Sequence, residues 1–417
     1  MKILTISNLY PPNIVGGYEV LCFEVMRGLA EKGHEINVLT SDYGGKQVIY
    51  PNQQVQRLLT LLATEGNIYK PLNISAIERN NINQKNLQIL SRTLDEINPD
   101  LIFIWNLHFF DVSLLDALSL VKKKQVYLLS DNWLINFYNS DFVANYFSRE
   151  VYVKRDRWHA CWHRFKSRLF NGQKKRSMLG YAIFASRFMQ NLYSRAGFEF
   201  ANSKIIYHGI SSGVEESLPF AKREAFIAND ELRLLFAGRV VDIKGVHTAI
   251  EAMPHIINAL PNLKISLSIV GDMRDQQYVA NLKKIIAELG VEERICFIAP
   301  VEESKLFGLF QDYDIYLFPS LYEPFSLTLI HALRAGIPTI ASDVGGNPEI
   351  VFHEQTGLLF RPADARHLAA QVVKFVHNKN LRVTVSSRAR DHANQFTFNR
   401  MINQIEDYLL YSLESNQ

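Results

Sequence analysis

Two cations, Arg239 and Lys244, stand five residues apart in the stretch GRVVDIKG at 238–245, where an apolar run stops and a helical pattern begins. A lysine at the mouth of a helix is unfavourable on its own, because the amino end of the helix dipole is already positive. An anion shared by Arg239, Lys244 and the free helix amides would repair the electrostatics; a solvated pair on a loop is the simpler alternative. Gly16 and Gly17 precede another helical pattern, so their bare backbone could admit an anion, or could simply form a turn. Glu323 closes a third apolar run, and Ser326 opens a helix whose first amides make a second amino end able to face an anion. Asp131 and Trp133, in SDNWL, follow a further strand-like run and are candidates for holding a hydroxylated ligand; a capped turn with a buried tryptophan is the other reading.

Elements that could position these residues alternate along the chain. Short apolar runs rich in β-branched and aromatic residues at 2–7, 34–40, 100–106, 125–131, 181–186 and 203–209 predict buried strands. Between the first two, Val20, Phe23, Leu29 and Ala30 recur at near-helical spacing, and Gly33 stands where a C-terminal cap belongs. The pattern restarts after a linker predicted at 210–231, with strands at 232–239, 263–272, 294–300, 314–320, 337–343 and 357–360. Helical segments intervene at 244–260, 274–289, 302–311, 326–335 and 363–378. Strands alternating with helices predict two doubly wound parallel α/β sheets, whose ligands bind at the carboxyl ends of the strands, with a substrate cleft expected where the two halves face each other.

Composition sets the outer limits. A chain of 417 residues with 47% hydrophobic and 21% charged residues can bury two cores. Cys22, Cys161 and Cys296 are too far apart in sequence for a zinc-ligand pattern or a disulfide framework. The amino terminus reads as a strand and a proline turn rather than a signal peptide, and no apolar run reaches membrane-spanning length, so a cytoplasmic location is expected. A net charge of +3 gives no case for nucleic acid.

In order along the chain, the two glycines at 16–17, GHE at 33–35, GRVVDIKG at 238–245, IVGD at 269–272, FPSLYEPFSLTLIHALRAGIP and ASDVGGNPEI resemble the family 4 glycosyltransferases of the GT-B fold. The resemblance implies an N-terminal acceptor-binding domain over 1–209, a C-terminal nucleotide-sugar-binding domain over 210–390, and a last helix within 391–417 crossing back to the first domain. It implies a retaining transfer from a nucleotide-diphosphate-sugar, a UDP-sugar before others, with no metal ion and no cofactor beyond that co-substrate. Gly16 and Gly17 would approach the β-phosphate, Arg239 and Lys244 would neutralise the pyrophosphate, and Glu323 would contact hydroxyls of the transferred sugar. Phe325, Ser326 and Leu327 would lend backbone amides, and His108, in WNLHFF, falls where an active-site histidine near the sugar is often found. The family pattern has a second glutamate where this chain has His331. A neutral imidazole offers a ribose one acceptor where a carboxylate offers two oxygens, and His331 could equally face its helix neighbours.

The acceptor could be a glycan, a lipid-linked saccharide or a small molecule. From 154 to 176, cations alternate with Trp158, Trp162, Phe165 and Leu169 at helical spacing. Such a segment can lie on an anionic membrane surface, making the protein peripheral at the inner face, or can put its aromatics into a core. Alternative activities are a nucleotide-sugar epimerase and a nucleotide-sugar-binding protein without catalysis; the lack of a GxGxxG opening the first unit argues against a nicotinamide dehydrogenase.

Overall fold

The computed structural model describes residues 1–45, 48–152, 176–211, 226–227 and 230–415. Cys161 and the basic aromatic segment at 154–176, apart from the backbone of Arg176, lie outside them, as does most of the predicted linker. The chain forms two compact units, Met1–Ile206 with Met401–Gln417, and Tyr207–Arg400.

In the first unit, strands β1 (Lys2–Ile6), β2 (Glu35–Ser41), β3 (Gln53–Leu59), β6 (Leu101–Ile104), β7 (Lys124–Leu129), β8 (Arg176–Phe184) and β9 (Phe198–Ile205) form one sheet in the order β3-β2-β1-β6-β7-β8-β9. Every pairing in it is parallel. A two-stranded antiparallel hairpin, β4 (Ala63–Thr64) and β5 (Asn67–Pro71), follows β3. The second unit holds β10 (Glu231–Ala237), β11 (Lys264–Val270), β12 (Ile295–Ile298), β13 (Ile315–Phe318), β14 (Thr339–Ser342) and β15 (Leu358–Phe360) in the order β12-β11-β10-β13-β14-β15, again all parallel. Both sheets reverse direction beside their first strand, between β1 and β6 and between β10 and β13. At such a switch point two neighbouring connections leave on opposite faces and open a crevice at the strand ends.

Central strands such as β6 and β13 are buried along their whole length, which is why they read as unbroken apolar runs. Strand β3, QQVQRLL, lies at the sheet edge with mostly half-buried residues, so its sequence carries no such run and predicts no strand. Helix Ala76–Ile97 buries only Asn86, Leu90, Thr93 and Ile97, too narrow and polar a stripe to stand out, although Ser75 and Glu78 form a capping box at its start. Unit two has its core where Phe236, Leu267, Leu317 and Ile340 of the sheet meet Ile250, Met253 and Phe375 of the covering helices.

The chain leaves the first unit after Ile206 and rejoins it at Met401. Helix Lys379–Ala393, beyond the expected range of 363–378, packs on helix Leu327–Ala335 inside the second unit, so the returning segment starts later than 391. Helix Phe398–Glu414 buries Met401, Ile402, Ile405, Tyr408 and Leu409, and Glu406 binds Lys32 at 2.6 Å and His34 at 2.8 Å. No described helix is long and apolar enough to cross a membrane.

Candidate active site

In the second unit the switch point is built from three loops that lock onto one another. After β10 the chain makes a 3-10 turn at Asp242–Lys244, then Gly245, with φ +65°, caps helix Val246–Ala259. A Cβ on Gly245 would come within 2.1 Å of the Pro319 carbonyl oxygen, so this close approach to the loop after β13 requires glycine. The Leu321 amide donates to the Ile243 carbonyl at 2.8 Å across the same junction. On the far side, the Gly346 amide donates to the Glu323 carbonyl at 2.8 Å, and a Cβ on Gly345, φ +57°, would lie 2.0 Å from that oxygen. The loops after β10, β13 and β14 are thereby stacked edge to edge.

Lys244 and Glu323 meet across this stack, Nζ to Oε2 at 2.5 Å. Both side chains are mostly buried, and the ammonium also lies 5.8 Å from the centre of the Phe318 ring. The sequence reading had a bound anion relieve the misplaced charge of Lys244; in the structure the Glu323 carboxylate does so. Lys244 also ends the 3-10 turn rather than opening the helix. Arg239 stays exposed and forms no ion pair with the described residues. It contributes to the field at Asp272, whose carboxyl is held below its usual range chiefly by its hydrogen bond from Arg274.

Helix Leu327–Ala335 begins beside Glu323, with the Ser326 hydroxyl accepting from the Leu329 amide at 3.2 Å. Phe325 is buried, its ring parallel to that of Tyr207 at 5.3 Å, and Tyr207 donates to Glu349 at 3.0 Å. Phe325, Ser326 and Leu327 thus stand together at this helix mouth. His331 is buried one turn in, and its Nε2 lies 3.0 Å from Oε1 of Glu303, in the turn after β12. That hydrogen bond is the main cause holding the Glu303 carboxyl below its ordinary range.

In the first unit, asparagines organise the switch point. The Asn8 amide donates to the Asn106 carbonyl at 2.7 Å, and the Asn8 side chain donates to the His108 carbonyl at 3.2 Å. The Asn106 side chain accepts from the His108 amide at 2.8 Å and lies 3.5 Å from the Asp131 carboxylate. Asn106 therefore ties the His108 turn to the Asp131 turn. Burial lowers the pKa of the half-buried His108 imidazole, favouring its neutral form. Burial raises Asp131 to about 6, Glu19 adds to the rise, and the Trp133 amide, donating at 2.9 Å, opposes it. Trp133 itself is 2% exposed, its ring edge-on to Phe137, so it offers no face to a sugar; it belongs to the core.

Gly16 is extended rather than left-handed, and a Cβ on Gly16 or Gly17 would meet nothing within 4 Å. Turn geometry therefore does not require this pair, and open space lies above it. The Gly16 amide is engaged, however, donating to the buried Glu19 carboxylate at 2.9 Å. A phosphate approaching Gly16 would meet that carboxylate, so only part of the expected anion site is open. Asn8, Asn106, Glu19 and Glu303 were missed in the sequence. The one available signal was that KILTISN and DLIFIWN, which flank the switch point, both end in asparagine. Among the described residues no group of three or more His, Cys, Asp or Glu is arranged to hold a metal ion.

Two doubly wound parallel-sheet units, each with candidate residues at the strand ends of its switch point, define a two-domain α/β architecture. The model described as Glycosyltransferase Family 4 matches residues 15–213, and that described as Glycosyl transferases group 1 matches residues 219–392. The chain belongs to the group 1, family 4 glycosyltransferases. It is similar to an uncharacterized glycosyltransferase of Methanocaldococcus jannaschii, 26% identical over 414 residues, with 94% of this chain and 93% of that one covered. A glycogen synthase of Mycobacterium tuberculosis is 33% identical over 164 residues, 39% of this chain and 38% of its own length. Solved structures of the GT-B fold superpose on the chain. Sucrose-phosphate synthase from Thermosynechococcus elongatus gives a TM-score of 0.70 at 19% identity, with 98% of both chains covered. Anabaena HepE, solved with UDP-glucose, gives 0.65 at 21% identity, covering 99% of this chain and 100% of that one.

Proposed function

We propose that the protein is a retaining glycosyltransferase that moves a sugar from a UDP-sugar to a hydroxyl of a glycan, lipid-linked saccharide or small molecule. The observation that carries this reading is the Lys244–Glu323 pair at 2.5 Å on the β10/β13 switch point. Breaking an anomeric C–O bond puts negative charge on the departing phosphate and positive charge on the sugar, so a fixed cation beside a fixed carboxylate matches both poles of the transition state. In this reading the diphosphate takes Lys244 and recruits the exposed Arg239, releasing Glu323 to accept from sugar hydroxyls. The amides at Phe325, Ser326 and Leu327 add to the anion side. His331 and Glu303 together offer an imidazole and a carboxylate to the ribose. The departing phosphate takes the acceptor proton on the same face of the sugar, so neither a protein nucleophile nor a metal ion is needed, and His108 and Asp131 orient the sugar and the incoming hydroxyl. The donor class is carried over from HepE, which was solved with UDP and with UDP-glucose.

Calorimetric titration with UDP, GDP, ADP and their sugar conjugates tests the assignment. UDP binding that weakens at least tenfold in Lys244→Ala supports it, and tighter binding in His331→Glu identifies the ribose contact. A wild-type protein that takes up none of the nucleotides overturns the donor site, and an inverted anomeric centre in the product, read by NMR, overturns retention.

A further inference from the structure

Strand β3 is the outer strand of its sheet, three positions from β6, so the carboxyl ends of the two strands lie roughly 14 Å apart at ordinary strand spacing. A doubly wound fold needs only a short link from β3 to the next helix. The chain instead inserts the hairpin β4–β5, closed by Glu65 and Gly66, with Gly66 at φ +78°. Its path is fixed by hydrogen bonds. Tyr43, just beyond β2, donates through its hydroxyl to the Thr64 carbonyl at 3.0 Å, and the Leu62 amide donates to the Phe109 carbonyl, just beyond β6, at 2.8 Å. The hairpin therefore spans the carboxyl ends of β2 and β1 and comes to rest beside His108.

Two features stand out at the landing point. Phe109 holds φ +77°, a conformation a bulky side chain adopts only under constraint, and such outliers concentrate at ligand sites. Its ring stands edge-on to the His108 imidazole at 4.2 Å and to Tyr69 at 5.9 Å. Tyr69 nevertheless remains 66% exposed, while its neighbour Ile68, at 6%, anchors the underside of the hairpin. An exposed aromatic ring is thus held on a braced element, linked through the Phe109 ring to the proposed active-site histidine, with exposed Asn67 two residues before it on the same strand.

We infer that the β4–β5 hairpin is the acceptor-recognition element and that Tyr69 is a stacking platform for a pyranose ring of a saccharide acceptor. The C–H face of a pyranose carries partial positive charge that suits the negative face of an aromatic ring. The exposed Asn67 amide, on the same face of β5 as Tyr69, can serve its hydroxyls, of which a simple carbocyclic alcohol has one rather than several. The inference rests on the transferase reading above and specifies its acceptor.

Saturation-transfer NMR on the full chain, with methyl glucoside, methyl galactoside, methyl mannoside, maltose, lactose and cyclohexanol as probes, tests it, alongside UDP titration of the same samples. The expected result is contact with at least one saccharide but not with cyclohexanol, at least tenfold weaker in Tyr69→Ala and retained in Tyr69→Phe, with UDP affinity unchanged. Because Tyr69 is exposed, its replacement leaves folding intact. Saccharide binding equal in Tyr69→Ala and wild type, or no saccharide bound by the wild type, overturns the inference. Failure of UDP to bind, with Tyr69-dependent saccharide contact intact, would instead count against the donor reading and leave the hairpin assignment standing.

Discussion

At Asp131 the role proposed above and the stability of the fold pull in opposite directions. Its carboxyl is raised to about 6 by burial and by Glu19, with the Tyr18 side chain also within electrostatic range. As an acceptor for a substrate hydroxyl it must be ionised, so kcat/KM for the acceptor should fall about tenfold per pH unit below pH 6. Asp131→Asn should lower the plateau and remove that limb, which a pH–rate profile would reveal. The stability effect has the opposite sign. A carboxyl whose folded pKa is raised loses stability as pH rises from its unfolded value toward 6, so Asp131→Asn should be the more stable protein at pH 7. Loss of the acid limb together with a higher melting temperature would mark Asp131 as a functional residue. Its candidacy was legible in SDNWL, but its partner Asn106 was not, because an asparagine at a strand end is usually a turn residue.

Glycines at the two switch points do different work at the level of loops and helices. Gly245 is left-handed and meets the Pro319 carbonyl, so Gly245→Ala should cost more than about 1 kcal/mol in denaturant unfolding and should pull Lys244 away from Glu323, weakening nucleotide binding. Gly17 is the first residue of its helix and has open space around its Cβ position, so Gly17→Ala should leave stability unchanged or slightly raised. A loss of activity in that variant would then report on ligand approach alone. Sequence spacing put both glycines at helix mouths. Only the packing of one loop on another separates the glycine the fold requires from the one it tolerates.

At the scale of the molecule, the chain ends by repairing the unit it began with. Leu409, fully buried in helix Phe398–Glu414, belongs to the first unit. Leu409→Ala should cost about 2–5 kcal/mol there, speeding native-state hydrogen exchange in β1, β2 and β6–β9 while leaving β10–β15 unchanged. Equal acceleration in both sheets would show that the units do not unfold separately. A closing helix is an expectation of the family resemblance alone, since the terminal sequence carries an amphipathic pattern but no indication of its partner.

The sequence by itself determined the alternation of strands and helices, eleven of the thirteen strands of the two parallel sheets, a twelfth displaced to 203–209 from its place at Phe198–Ile205, and the presence of Arg239, Glu323 and His108 just beyond strands. Buried parallel strands must be continuously apolar, so they announce themselves locally. The tertiary structure decided what those residues meet. Lys244 found Glu323, 79 residues away, His331 found Glu303, and Trp133 went into the core. Side-chain pairing depends on which loops the strand order brings together, and no local pattern encodes that order. The edge strand β3 and the hairpin that follows it escaped the sequence for the matching reason: partly exposed elements need no apolar run, although it is the exposed face of that hairpin that reaches the candidate site.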